Sequence, residues 1–402
     1  MGKWRRLGAT LLAAELILGA AKVYAGGKIG IDDTKWVSLG AGGRTSFAAK
    51  EETAPNGDDW SKDFNIDNAR LYISGQVHKY FKFELNTDCV FCGNSSLEDF
   101  ALLDAIAKIE IRPWFNIWAG RLLVPAERRE MNGPFYANTY DSFKTPFYPS
   151  DFSVTFGNGG AGVYGRDQGA NIWGAVGPEG AFQYVFGVFS GLQSSSNSGP
   201  NQEDSPLFAT RLAYNFLSVE KNPGYYTSGT YYGTGGDILT LGGVVQYQNN
   251  GSGSFQHKAD FTGLSADLLF EKPIADVGVI TLDGEYKHFI ANYSEAAFTD
   301  ADPNAFNMFD GDSFSLVGLY LFPQEVGVGK FQPYVRYTGV YPDDSSNRDE
   351  FEVGLNYVVD GHNARISLFY QYGDIATKGL NYAPGADGDN INAIKLGIQL
   401  QI

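Results

Sequence analysis

Along several short runs of this chain an arginine or lysine falls on the polar side of a period-two alternation, which places its charge on one face of an extended strand. Arg70 alternates with Leu71 and Ile73, and Lys108 and Arg112 share a face with Asp104 and Glu110. Arg121 falls in the run Asn116 to Val124, Arg211 in Leu207 to Ser218, Arg336 in Phe331 to Tyr341 and Arg365 in Ala364 to Asp374. Arg166 opens a further run, and Arg128, Arg129 and Lys144 lie in an irregular stretch. Guanidinium forks match the oxygens of phosphate and carboxylate, and rings of such groups around a passage favour anions. Catalysis has no comparable signal. The histidines at 78, 257, 288 and 362 are far apart, no Ser/His/Asp motif is recognisable, and nothing calls for a metal or cofactor.

These side chains need strands to hold them, and the last run shows the pattern plainly. From Asn392, Ile394, Leu396, Ile398, Leu400 and Ile402 alternate with Lys395, Gly397, Gln399 and Gln401. One face is apolar throughout, and no later segment is left to cover it, so lipid is the expected cover. Similar runs recur from Trp36 onward and number sixteen, with short turns alternating with long polar loops. That rhythm predicts an all-β, transmembrane antiparallel barrel over residues 26–402, closed by pairing of the first strand with the last. About sixteen strands make a barrel too wide to be filled by its own side chains, so an aqueous lumen is expected. No linker divides the chain into domains. Ahead of it, Lys3, Arg5 and Arg6 precede an apolar stretch from Leu7 to Ala20 and a small-residue site at Val23-Tyr24-Ala25, which predicts an export signal over residues 1–25. Export through an oxidising compartment favours a local disulfide between Cys89 and Cys92 over a redox or zinc motif.

The formal charge of −16 becomes −19 once that leader, with four bases and one acid, is set aside, which argues against nucleic acid as a partner. The excess acid concentrates in loops: Glu51, Glu52, Asp58 and Asp59; Asp300, Asp302, Asp310 and Asp312; Asp343, Asp344, Asp349 and Glu350. The strand faces assigned to the lumen hold more bases than acids. A Debye length of about 8 Å against a wall roughly 25 Å tall screens the loops from the waist, so groups at the waist set selectivity. Between Pro125 and Gly162 the alternation stops, and Phe135, Tyr136, Tyr140, Phe143, Phe147 and Tyr148 crowd a segment too aromatic to be disordered.

Gly165-Arg166-Asp167-Gln168-Gly169 followed by Phe182 to Gly191 resembles the phosphate-selective porin O and P family. Ala69 to Gly75 and Gly120-Arg121-Leu122-Leu123-Val124-Pro125 with Arg128-Arg129-Glu130 are similar to its earlier strands and the approach to its third loop. The resemblance implies a sixteen-stranded homotrimeric porin of a Gram-negative outer membrane, with a long third extracellular loop folded into the lumen. It implies passive diffusion of small anionic or polar solutes, with lipid and lipopolysaccharide around the barrel. Alternatives stay open: a non-specific or cation-preferring channel, lumen charges that merely pair with one another, or a structural or adhesive barrel with little conductance.

Overall fold

The computed structural model describes residues 27–89, 100–146, 148, 165–291, 297, 299–306, 310–374, 382 and 384–402. The leader expected over residues 1–25, most of the stretch 147–164 and Cys92 lie outside the described residues. The strands run β1 (Gly27–Gly30), β2 (Trp36–Lys50), β3 (Ser61–His78), β4 (Phe81–Cys89), β5 (Phe100–Arg112) and β6 (Phe115–Leu123). A short helix α1 (Arg128–Asn132) follows, then β7 (Arg166–Val176), β8 (Phe182–Phe189), β9 (Leu207–Asn215), β10 (Ile238–Gly253) and β11 (Lys258–Ile274). The chain ends with β12 (Gly278–Ile290), β13 (Gly311–Leu321), β14 (Lys330–Pro342), β15 (Arg348–Asp360), β16 (Ala364–Gly373) and β17 (Ile391–Gln401).

Each strand from β2 to β17 pairs antiparallel with the next, and β17 returns to β2 with Ile394 opposite Ala49 and Gln401 opposite Gly42. The result is a closed sixteen-stranded barrel with no free edge in the circuit, the condition for burying backbone amides in lipid. The extra strand β1 pairs with Trp36 to Leu39, continuing along β2 past the end of β17.

Burial is inverted relative to a water-soluble fold. Along β16, Arg365, Ser367 and Gln371 are buried, whereas Ile366, Leu368, Tyr370 and Tyr372 are exposed. On β17, Gln399 and Gln401 are buried while Ile394, Leu396, Ile398 and Leu400 are exposed. Apolar side chains outside and polar ones inside are stable only where the outside is hydrocarbon, so the chain is a transmembrane β-barrel.

At one end the connections are short, as at 79–80, 113–114, 275–277 and 361–363. At the other they are mostly long, including 190–206, 291–310 and 374–390. One connection breaks that rule. Residues 216–237 join β9 to β10 at the tight-turn end and fold inward.

The lumen is not the open aqueous space that strand number alone suggests. Residues 124–146 run inside the wall from the opposite end, and with 216–237 they bring an apolar core into the barrel. That core packs Trp118, Leu122, Val185, Phe189, Tyr225, Phe261 and Phe289 together. Two inserted segments fill what sixteen strands leave empty.

Candidate functional site

Helix α1 carries three of the charges read from the sequence, and it is buried along its whole length. Glu127 caps it by accepting a hydrogen bond from the Glu130 amide at 3.1 Å. Arg128 grips Glu220 with two parallel bonds of 2.7 and 2.8 Å and donates to the Ser228 carbonyl at 2.9 Å. Arg129 faces Asp283 at 3.3 Å and Glu285 at 3.6 Å. Lys287 on β12 lies between Glu127 and Glu130 at 2.9 and 2.8 Å.

Beyond the helix, the wall holds the inserted chain by its backbone. Arg365 donates to the carbonyls of Ala137 at 2.8 Å and Asn138 at 3.3 Å. Arg336 reaches Thr139 Oγ1 at 2.8 Å and the carbonyl of Asp141. Arg44 donates to the Tyr140 carbonyl and to Asn68 at 2.7 Å, and its guanidinium lies 4.0 Å from the Tyr140 ring centre. Gln399 and Asn356 bond the carbonyls of Phe135 and Asn138. Lys144 meets Glu350 at 2.6 Å, and Lys395 meets Asp141 at 2.9 Å. Residues 135–144 are therefore seated on β2 and β14–β17.

Several of the other sequence candidates are also paired. Arg70 bonds Asp88 at 2.7 Å, Arg166 bonds Asp104 at 3.1 Å, and Arg211 takes Asp267 with two bonds. Lys108 bonds Glu84 and stands 3.8 Å from the Trp118 ring centre. Arg112 is exposed and lines a cavity of about 700 Å³ at the tight-turn end, with Lys82, Glu110, Asn116, Trp173 and Glu220. Cys89, at the end of β4, is buried and disulfide-bonded.

Three expectations need correction. Arg121 does not face the lumen: Asn116, Trp118 and Leu122 are the inward residues of β6, and Arg121 stands opposite Ala105 and Gln168 on the outer face. Assigning the polar side of each run to the interior fails here because the interior at this level is an apolar core. Glu350 is not a loop carboxylate; it is buried against Lys144 and Arg336. Nor is the interior basic. Among the described residues, thirteen carboxylates and twelve Lys or Arg side chains are buried.

Several contributors carry no signal in isolation. Trp118 reads as a lipid-facing aromatic, yet it is fully buried between Trp173, Tyr225 and Tyr226. His362, in the turn between β15 and β16, is packed between Tyr136 and Tyr232 with Nε2 3.1 Å from Ser228 Oγ and 2.9 Å from the Thr230 carbonyl. Burial, and then the neighbouring Arg365 charge, push its pKa down to about 3. At the outer rim Ser254, His257 and Asp300 meet, but the carboxylate sits between the other two. A serine bonded to the carboxylate cannot pass its proton to the imidazole, so this cluster is not a hydrolytic triad.

No protein-family model matches the chain, and no curated protein matches it. Solved structures do. The chain is similar to an anion-selective porin from Comamonas acidovorans, at 16% identity over 92% of this chain and 100% of that one, with a TM-score of 0.57. It is similar to Salmonella typhi OmpF in complex with daunomycin, at 11% identity over 93% and 100% of the two chains, with a TM-score of 0.55. OmpT of Vibrio cholerae gives 14% identity, 92% and 99% coverage and a TM-score of 0.50. The fold is that of the outer-membrane porins. At these identities the shared feature is architecture, and solute preference has to come from this chain's own residues.

Proposed function

We propose that the protein is a porin of a Gram-negative outer membrane that passes small hydrophilic solutes and weakly prefers anions, phosphate-class oxyanions among them. The observation that supports the preference is one cross-strand row. Arg44 on β2 and Arg365 on β16 stand on either side of Gln399 on β17, in direct register and facing inward. Two strand spacings separate them by roughly 9.6 Å. Among the described residues neither has a carboxylate in its hydrogen bonds; their donors rest on backbone carbonyls, the amides of Asn68 and Gln399 and the Tyr232 hydroxyl. A charge whose hydrogen bonds all go to neutral acceptors keeps more of its field than one bonded to a carboxylate, as Arg128 and Arg211 are. The anion-selective porin from Comamonas acidovorans shares the fold and is consistent with this reading. Reversal potentials in a potassium chloride gradient test it. A cation-selective value refutes the preference, and negligible conductance points instead to a structural barrel.

Homotrimer formation is part of the proposal, supported by an asymmetry of the outer surface. Tyr214, Tyr247, Tyr286, Tyr337, Tyr341, Tyr370 and Tyr372 are exposed on β9–β16, where their phenols suit a lipid–water boundary. No described residue on the outer face of β17 or β2–β7 is a tyrosine. Tyr72, the one tyrosine in those strands, turns inward beside Phe135. That outer face carries small and aliphatic residues such as Ala41, Ala69, Ala105, Ala107 and Ala119, which suits close approach of a second copy. In the same reading residues 1–25 direct export, Cys89 pairs with Cys92, and the acidic loops face lipopolysaccharide.

A further inference from the structure

Residues 216–237 enter the barrel from the end opposite to residues 124–146, and the two segments bond directly to each other. Tyr225 donates its hydroxyl to the Leu123 carbonyl at 2.8 Å, and Thr227 donates to the Arg128 carbonyl at 2.7 Å. The Gly229 amide donates to the Tyr136 carbonyl at 2.9 Å, and Asn138 Nδ2 returns to the Gly229 carbonyl at 3.1 Å. Arg128 completes the seam through Glu220 and Ser228.

We propose that residues 216–237 form the inner leaf of the channel's constriction, and that the seam between this leaf and residues 123–138 is the plane that parts to admit solute. The proposal rests on the channel reading above. Each leaf is anchored to a different part of the wall. Glu271 on β11 holds the inner leaf by accepting from Thr230 Oγ1 at 2.6 Å, the Tyr231 amide at 3.0 Å and the Gly233 amide at 2.8 Å. Arg365, Arg336, Lys144 and Lys287 hold the outer leaf. Among the described residues, the seam between them has hydrogen bonds to backbone carbonyls and one ion pair, Arg128 with Glu220. Losing one partner of a buried pair is strongly destabilising. Here the loss is confined to the seam, since Arg128 retains Asp267 at 3.5 Å. The inner leaf also has a pivot. Gly224 adopts a φ of +61°, and a Cβ there would lie 2.2 Å from the Trp118 ring.

Single-channel recordings and cysteine modification test the seam together. Glu220→Gln removes its charge, and Gly224→Ala wedges the leaf away from Trp118 without touching a charged group. Both variants are expected to raise conductance at least threefold, and Glu220→Asp to stay near wild type. Ser228→Cys, placed in the seam, is expected to react with a charged methanethiosulfonate at least tenfold faster when combined with Glu220→Gln. Equal, steady conductance in wild type, Glu220→Gln and Gly224→Ala overturns the gate while leaving the channel reading intact. An unchanged Ser228→Cys rate overturns it as well. Absence of current from all three folded proteins overturns both.

Discussion

Replacing Arg44 and Arg365 by glutamine should move the channel's selectivity towards cations, and the size of the move follows from geometry. At the dielectric constant of water, an ion passing about 8 Å from one guanidinium feels about 0.5 kcal/mol, attractive for an anion and repulsive for a cation. Each arginine thus changes the anion-to-cation permeability ratio by about 1 kcal/mol, or roughly fivefold, and the pair by roughly 25-fold before screening. Salt at physiological strength screens over about 8 Å, which reduces the combined effect to several-fold. Glutamine keeps one amide to donate to the carbonyls of Ala137 and Asn138, which Arg365 now satisfies. The inserted segment therefore loses hydrogen bonds but not its seat. Arg211→Gln is the control, because that arginine's two bonds to Asp267 already neutralise it. Reversal potentials in a potassium chloride gradient give the ratio directly. A change of less than twofold in the double variant, or an equal change in Arg211→Gln, refutes the argument that carboxylate-free arginines govern selectivity.

Trp118→Ala is expected to cost about 3–5 kcal/mol, since it removes a fully buried ring from the apolar core within the lumen. Urea unfolding should show the loss, and a cost below about 1 kcal/mol would mean that the core contributes little. Acidification should weaken the inner end of the barrel through His362. Its folded pKa of about 3 lies below the ordinary 6.5, so the neutral imidazole stabilises the fold fully above pH 6.5, and that stability drains away as pH falls towards 3. Arg365, Tyr136 and Tyr232 are the charged and titratable groups around it. The loss at pH 5 is about 2 kcal/mol. His362→Gln should flatten that part of the stability profile, and an unaltered profile would exclude His362 as its source. Ala107→Trp, on the tyrosine-free outer face, should convert the proposed trimer to folded monomers in cross-linking, whereas Leu264→Trp on β11 should leave assembly unchanged.

The barrel was legible in the sequence because its signal is repetitive. Period-two alternation in β16 and β17 states which side meets hydrocarbon, and closure of β17 on β2 follows from having no other way to satisfy the edges. The interior was less legible for a definite reason. Alternation separates two faces without labelling them, and the labels rest on the premise that apolar means outward. In β16 the premise holds, and Arg365 faces inward. In β6 it fails, because Trp118 and Leu122 face an apolar core built by segments far away in sequence, and Arg121 is left outside. Glu350 illustrates the same limit in the other direction: it sits among Asp343, Asp344 and Asp349 in the chain, but Lys144 and Arg336 make its burial tolerable.

The inner leaf has consequences for how charge in the lumen should be counted. Net charge along the wall is a poor guide to selectivity when, among the described residues, thirteen carboxylates and twelve bases are buried together. Most cancel locally, and those that cancel also fix the two leaves in place. Arg128 is the clearest case, binding Glu220 of one leaf and the Asp267 wall position while it belongs to the other leaf. Its charge holds the constriction shut and contributes little field to a passing ion. In the proposed channel, selectivity and gating are assigned to different arginines: Arg44 and Arg365, bound to carbonyls, to the ion, and Arg128, bound to carboxylates, to the leaf. Glu220→Gln should change conductance with little change in the permeability ratio, and the Arg44 and Arg365 replacements should do the reverse.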